Sequence, residues 1–165
     1  MDRDVFWLVP AAGYRKPLLR LIMDLADAHD APVFAPHVTL GSVRSGDQTA
    51  FDAMRAVLER TAPVTLESTG IETGSSFTRS LFLGFAPCDA LSELMAAFPF
   101  PSEHEPHLSL LYCPPEQREA EVGDLTNPFP TIEFDQVWVV PMTGVVRTGE
   151  DVTGWQASER IRLSS

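Results

Sequence analysis

The spacing of hydrophobic residues in the first part of the chain switches between the period of a strand and that of a helix. Residues 5–9 form a short apolar run, which is typical of a buried strand. Over residues 17–29 the apolar positions recur every three or four residues, which predicts a helix with Pro17 in its first turn. A strand over 38–43 and an amphipathic helix over 51–61 follow. The pattern therefore predicts the order β-α-β-α.

The rest of the chain continues with strands and helices joined by short connections. The predicted elements are strands over 64–73, 81–85, 107–112, 132–140 and 155–163, and helices over 91–98 and 114–126. The fourth helix is rich in acidic residues, and a polar loop over 148–154 precedes the last strand. No linker divides the chain, so we expect a single domain over residues 1–165.

One short motif occurs twice, as Pro-His-Val-Thr-Leu at 36–40 and as Pro-His-Leu-Ser-Leu at 106–110. A strand alternates its side chains between two faces, so each copy buries its aliphatic residues and turns an imidazole and a hydroxyl the other way. The four polar residues predicted to face a cleft are His37, Thr39, His107 and Ser109. Together they offer an acid, a base and two hydrogen-bond donors, which suits a metal-free phosphate site.

The repeated motif and the mixed order of elements predict an α+β fold. We expect two lobes related by a pseudo-twofold axis, each with an antiparallel sheet. The sequence repeat is confined to the five-residue motif, so the symmetry is expected in the fold and not along the chain.

Composition narrows the range of partners. The chain has 165 residues, of which 44% are hydrophobic and 21% charged, as in an ordinary soluble protein. Its net charge of −11 argues against a long polynucleotide partner but not against a small phosphate ester. Basic residues near the first strand, such as Arg3, either reach the cleft rim or are solvated surface charges. Two cysteines, no long apolar run and a charged N-terminus lead us to expect a cytoplasmic protein with no membrane partner.

The paired motifs resemble those of the two-histidine (2H) phosphoesterase superfamily. The similarity is closest to its cyclic phosphodiesterase branch, which opens the cyclic phosphate of ADP-ribose 1″,2″-cyclic phosphate and of nucleoside 2′,3′-cyclic phosphates. Three further stretches resemble that branch: residues 5–10, the hairpin at 73–83, and the second motif continued to Tyr112. The resemblance covers about residues 5–163. It implies two lobes with helices outside and a central cleft between the sheets.

The resemblance also implies roles for individual side chains. Thr39 and Ser109 would bind the non-bridging phosphate oxygens, where negative charge develops during the reaction. His37 would be the acid and His107 the base, while the residues by themselves leave that order open.

Two aromatic residues, Trp7 and Tyr112, match substrate-contacting positions of the branch. Trp7 either stacks on a base or sugar edge or belongs to the core. Tyr112 lies five residues after His107, so an unbroken strand would turn it away from the cleft. It reaches the cleft only if the strand ends or bulges there.

No metal and no cofactor is expected. The densest group of possible ligands, Glu-His-Glu-Pro-His at 103–107, lacks the His-Glu-x-x-His spacing of metalloproteases because position 108 is leucine. His104 is therefore expected to be structural or exposed. Arg44, just past the first motif strand, and Arg79, in the hairpin, are the candidates for neutralising a phosphate.

These observations favour metal-independent hydrolysis of small cyclic phosphodiesters by paired-histidine acid-base catalysis. One alternative is an enzyme for RNA 2′,3′-cyclic ends or 2′,5′ linkages, which would need a basic groove. The other is a non-catalytic nucleotide-binding module on the same fold. We expect a monomer whose partner is a small-molecule cyclic phosphate.

Overall fold

The computed structural model describes residues 2–119 and 125–164 of the chain. The strands are β1 Asp2–Pro10, β2 Val38–Arg44, β3 Val64–Thr73, β4 Leu81–Phe85, β5 Phe100–Pro101, β6 His107–Leu111, β7 Thr131–Thr143 and β8 Glu159–Arg162. The helices are α1 Ala12–His29, α2 Gln48–Glu59, α3 Asp89–Ala96 and α4 Gly149–Thr153. Every strand pair in the described residues is antiparallel, which confirms the predicted α+β class.

The two motif strands lie side by side at the centre of the sheet. The strand order is β1-β2-β6-β4-β3-β7-β8, and β2 meets β6 through the pair Val38 and Leu108. These are the middle residues of the two motifs, so a local twofold axis passes between them. The unit β1-α1-β2 on one side of this axis corresponds to β4-α3-β6 on the other. The predicted pseudo-twofold arrangement is thus present.

The sheets of the two lobes are continuous, whereas the sequence predicted one sheet per lobe. The long strand β7 pairs with β1 along one edge and with β3 and then β8 along the other. Its 13 residues are enough to serve both lobes. The strand pairing β2–β6 closes the connection on the opposite side.

The aliphatic face of the motif strands forms the core. Val38, Leu40, Leu108 and Leu110 are fully buried. The helices cover this face from outside, and α1 alone buries Leu18, Ile22, Leu25 and Ala26. Each such leucine or isoleucine stabilises the fold by about 1.5–3 kcal/mol. This one-sided burial leaves the polar face of β2 and β6 free to line a cleft.

Several boundaries differ from the prediction, most clearly those of α1, β7 and β8. Helix α1 begins at Ala12, so Pro17 lies inside the helix and not in its first turn. The Ala11 carbonyl accepts hydrogen bonds from the N–H groups of Tyr14 and Arg15, which starts the helix before the proline. Strand β7 is longer than predicted, and β8 is shorter.

The predicted acidic helix over 114–126 is wrong in the part that the structure describes. Pro115–Gln117 is a 3₁₀ turn, and Arg118 is extended. Residues 120–124 of that prediction lie outside the described residues, and residues 125–126 are not helical. Conversely, the predicted polar loop contains α4, because Thr148 and Asp151 form a capping box that satisfies its first N–H groups. No helix of the described ranges has the length and hydrophobicity needed to cross a membrane.

Candidate active site

A cavity of about 560 Å³ lies on the polar face of the motif strands. All six residues predicted from the sequence line it: Trp7, His37, Thr39, His107, Ser109 and Tyr112. The tertiary structure therefore brings together side chains that are up to 105 positions apart in the sequence.

The two histidines are oriented by the same local hydrogen bond. His37 Nδ1 lies 2.7 Å from the Ala35 carbonyl oxygen, and His107 Nδ1 lies 2.9 Å from that of Glu105. A carbonyl only accepts, so each Nδ1 carries the proton and donates it. In the neutral form each Nε2 then keeps its lone pair, which is the form that a proton acceptor needs. In both motifs the acceptor precedes a proline, so the residue two positions before each histidine sets its tautomer.

The two imidazoles differ in their burial. His37 is only 6% exposed, and burial lowers its pKa to about 4, against a smaller opposing effect of the Ala35 carbonyl. His107 is half-buried, and its pKa is also lowered, chiefly by burial and further by the charges of Arg79 and His104. At neutral pH His37 is therefore a neutral imidazole.

The two hydroxyls are not equivalent either. Thr39 is half-buried and lines the cavity. Ser109 is 4% exposed, and its Oγ donates to the Thr78 carbonyl over 2.7 Å. Ser109 thus fixes the segment that carries Thr78 and must rotate its hydroxyl to donate to a ligand.

Several solved structures have this arrangement of strands and align with the chain over nearly its whole length. The apo structure of LigT from E. coli aligns with a TM-score of 0.64 at 17% identity, covering 100% of this chain and 99% of that one. LigT complexed with 3′-AMP aligns at 0.62 and 17% identity, covering 99% of each chain. TT0787 from Thermus thermophilus aligns at 0.59 and 16% identity, covering 98% and 97%. The chain has the 2H phosphoesterase fold. No protein-family model and no curated protein sequence matches it.

The pseudo-twofold axis of the 2H fold pairs an aromatic ring with each histidine. Trp7 lies opposite Thr39 in the strand register, and Phe82 lies opposite Ser109. The Trp7 ring stacks on His37, with centroids 3.7 Å apart, whereas Phe82 meets His107 edge-on at 5.4 Å. The indole face is therefore occupied by the imidazole, and Trp7 is 3% exposed. Trp7 is thus packed in the core and lines the cavity at the same time.

Phe82 contacts His107 without lining the cavity, and it was not predicted from the sequence. Its signal in the sequence is the position that it shares with Trp7, directly across from a motif hydroxyl.

A β-bulge brings Tyr112 into the cleft of the 2H fold. Leu81 pairs with Leu111 but Phe82 pairs with Ser109, so Leu110 is an extra residue that reverses the alternation. Tyr112 lies just beyond the end of β6 and stacks on Phe34, with centroids 3.9 Å apart. Burial raises the pKa of its phenol, which stays a neutral hydrogen-bonding group at neutral pH.

The same bulge occurs at the symmetry-related place in the first motif strand. Phe6 pairs with Gly41 but Trp7 pairs with Thr39, which leaves Leu40 as the extra residue. Ser42 consequently turns into the cavity at the position that corresponds to Tyr112. Sequence alternation alone would have missed Ser42.

Two arginines line the cavity, Arg3 and Arg79. The Arg79 guanidinium lies over the Phe82 ring, 4.8 Å from its centroid, and its Nη1 is 3.5 Å from His104 Nδ1. Of the two candidates for phosphate neutralisation, Arg79 is at the cleft, whereas Arg44 is exposed and does not line the cavity.

Arg118 stabilises the loop that carries Arg79 by hydrogen bonds to both of its ends. Its Nη1 donates to the carbonyls of Gly74 and Ser80, over 3.1 and 2.6 Å. A side-chain Cβ at Gly74 would clash with the Arg79 carbonyl, so the loop closes as tightly as it does only with glycine there. The 3₁₀ turn before Arg118 thus positions a cleft residue from outside the cleft.

His104 lies at the rim, with its ring centroid 6.0 Å from that of His107. It is exposed, as expected, yet it also lines the cavity. Among residues 2–119 and 125–164 no group of three His, Cys, Asp or Glu side chains could hold a metal ion.

Proposed function

We propose that this protein hydrolyses small cyclic phosphodiesters by acid-base catalysis between His37 and His107, without a metal. The observation that carries the proposal is that both imidazoles line one cavity in the same tautomer, each held through Nδ1. A hydroxyl two residues after each imidazole, Thr39 or Ser109, lines the same cavity. The 2H phosphoesterase fold supports phosphoester chemistry at this cleft.

The reaction would proceed in one displacement at phosphorus. One neutral imidazole takes a proton from water, and the water oxygen forms a bond to phosphorus. The ring P–O bond breaks, and the other, protonated imidazole donates its proton to the departing ribose oxygen. Thr39, Arg79 and, after rotation of its hydroxyl, Ser109 would hydrogen-bond the non-bridging oxygens as their charge increases. The product is a phosphate monoester.

Burial favours His37 as the base. With a pKa of about 4, roughly one His37 in 10³ is protonated near pH 7, so using it as the acid would add about 4 kcal/mol to the barrier. As the base it carries no such cost. His107 is less buried than His37, so its protonated form loses less hydration, although the charge of Arg79 beside it opposes protonation. We therefore assign His37 as base and His107 as acid, the reverse of the order that the family resemblance implies.

The size and charge of the protein favour a small substrate. A cavity of about 560 Å³ is of the size that holds a nucleotide-sized ligand. The net charge of −11 disfavours a polynucleotide, whose binding depends on a basic surface.

A substrate comparison tests the activity. A nucleoside 2′,3′-cyclic phosphate and an RNA with a 2′,3′-cyclic end are offered at equal concentration to the wild type and to His37→Ala, His107→Ala and His29→Ala. His29 lies outside the cavity and controls for the loss of a histidine. We expect faster turnover of the nucleotide and a loss of about 10²–10⁴ in kcat/KM for the two cleft variants only. Preference for RNA would favour end processing, and no turnover would favour a binding module.

A change of leaving group separates the acid from the base. A nitrophenyl phosphodiester has an acidic leaving group that needs little protonation, so the variant lacking the acid recovers on this substrate. We expect His107→Ala to recover strongly and His37→Ala to remain impaired. The opposite recovery would exchange the two roles. Equal, mild effects of both substitutions would rule out acid-base catalysis by this pair.

A further inference from the structure

We propose that the cleft contains a second anion subsite, formed by Arg3 and Ser42, which binds a further phosphate group of the substrate. The inference rests on the proposed function and specifies its substrate class. That class is a cyclic phosphodiester that carries a second phosphate on the same small molecule.

The Arg3 side chain is held in a fixed position at the cleft. Its Nη1 donates to Ser42 Oγ over 3.1 Å, and its guanidinium carbon lies 3.6 Å from the centroid of the Phe100 ring. A guanidinium carries five N–H donors in a rigid plane, and stacking leaves their edge free to bind. Both Arg3 and Ser42 line the cavity.

The platform under Arg3 depends on a close approach between two strands. The short strand β5 pairs with β2 at Gly41–Pro101 and Ser42–Phe100. A Cβ at Gly41 would lie only 2.8 Å from the Phe100 carbonyl oxygen, so a glycine is needed there. The bulge that turns Ser42 inward and this approach together build the corner in which Arg3 lies.

Arg3 forms no close ion pair with the described residues. The ion pairs found among them involve Arg55 with Glu59 and Glu159, and none involves Arg3. Asp2 and Asp4 flank Arg3 on a strand, and alternation turns them to the opposite face. Glu103 also lines the cavity but is not among the ion-pair partners found, so the Arg3 guanidinium, held at the cleft in a chain with 23 acidic residues, is suited to an anionic ligand.

The position of the corner sets the distance between the two phosphates. Ser42 follows Thr39 by three residues, or about 10 Å along β2, and the Arg3 side chain reaches back over part of this span. A nucleoside 2′,3′-cyclic phosphate with a phosphate on its 5′ oxygen has a separation of this order. At the symmetry-related position Tyr112 takes the place of Ser42, so the second half of the cleft has a phenol where the first has a small hydroxyl. This asymmetry would orient the substrate.

The test compares adenosine 2′,3′-cyclic phosphate with and without a 5′-phosphate. We expect the wild type to have at least a tenfold higher kcat/KM for the 5′-phosphorylated compound, and Arg3→Gln to lose most of this preference. The matched control is Arg44→Gln. Arg44 pairs with Arg3 across the strands and lies 5.6 Å from the same Phe100 ring, but it does not line the cavity. It removes the same charge and should retain the preference.

The other possible outcomes distinguish the subsite from a structural role of Arg3 and from an effect of general surface charge. Equal losses on both substrates in Arg3→Gln would make Arg3 a structural residue, and an equal loss of preference in Arg44→Gln would indicate general surface charge. Either result overturns the subsite. If neither compound is hydrolysed, the proposed function fails, and calorimetric binding of the same two compounds then tests the subsite alone. Tighter binding of the 5′-phosphorylated compound, abolished in Arg3→Gln, supports the subsite, and equal binding overturns it.

Discussion

Burial of His37 makes the stability of the fold depend on pH. The pKa of His37 is about 4 in the folded protein and 6.5 as an unperturbed imidazole, because desolvation disfavours the charged ring. As the pH falls below 6.5 the unfolded chain binds a proton that the folded protein does not bind. The titration of His37 therefore leaves the free energy of unfolding unchanged above that pH and lowers it progressively down to about pH 4. Below about pH 4 it causes no further change.

The size of the effect follows from the two pKa values. At about pH 5 the free energy of unfolding is roughly 2 kcal/mol lower than near pH 8 because of His37, and at low pH this decrease approaches about 3 kcal/mol. His107, whose pKa is also lowered, adds an effect of the same sign. The carboxyl of Asp151, whose pKa is lowered as well, titrates below this range and leaves the interval unaffected.

Urea unfolding at several pH values between about 5 and 8 measures the effect. The wild type is compared with His37→Gln and with His29→Gln, which removes a histidine outside the cleft. We expect His37→Gln to be less stable near pH 8, since it loses the stacked ring, but to lose about 2 kcal/mol less on acidification than the wild type. The reasoning is refuted if wild type and His37→Gln lose the same free energy of unfolding between the two pH values. The same refutation would remove the argument for His37 as the base.

Three further outcomes are expected. Val38→Asp should lower the melting temperature strongly, because it buries an unpaired charge, whereas Thr39→Ala and Ser109→Ala should mainly reduce turnover; a reversed order in thermal melts would mean that the strand register is wrong by one residue. Arg118→Ala should raise KM with little effect on the melting temperature, because it releases the loop that carries Arg79. In the Arg79→Ala background the same substitution should have little further effect on KM. Fully additive effects of the two substitutions would contradict this coupling. Exhaustive chelation should leave turnover unchanged, and a loss that zinc or magnesium restores would contradict the metal-free mechanism.

Much of the candidate site could be predicted from the sequence because its determinants are local. Alternation along a strand is a property of consecutive residues. The motifs themselves therefore put His37 and His107 on one face of their strands and Val38 and Leu108 on the other. The tautomer of each histidine depends on a carbonyl only two residues away. For the same reason most strands and the first three helices were predicted close to their observed positions, whereas the two-residue strand β5, which exists only through its pairing with β2, was not predicted.

The features that the sequence did not reveal depend on contacts between distant segments. The bulges that turn Ser42 and Tyr112 into the cleft exist only relative to a partner strand, so they leave no mark in the alternation of one strand. The predicted acidic helix is absent at Arg118 because that side chain binds carbonyls about 40 residues earlier in the chain.

The difference between the two histidines is also a tertiary effect. Their sequence contexts are nearly identical, yet one ring stacks on Trp7 in a buried position and the other lies near Arg79 and His104 at the rim. The motif sequence determined which side chains face the cleft. The packing around each ring decided its pKa, because desolvation and neighbouring charge depend on the whole fold and not on the adjacent residues.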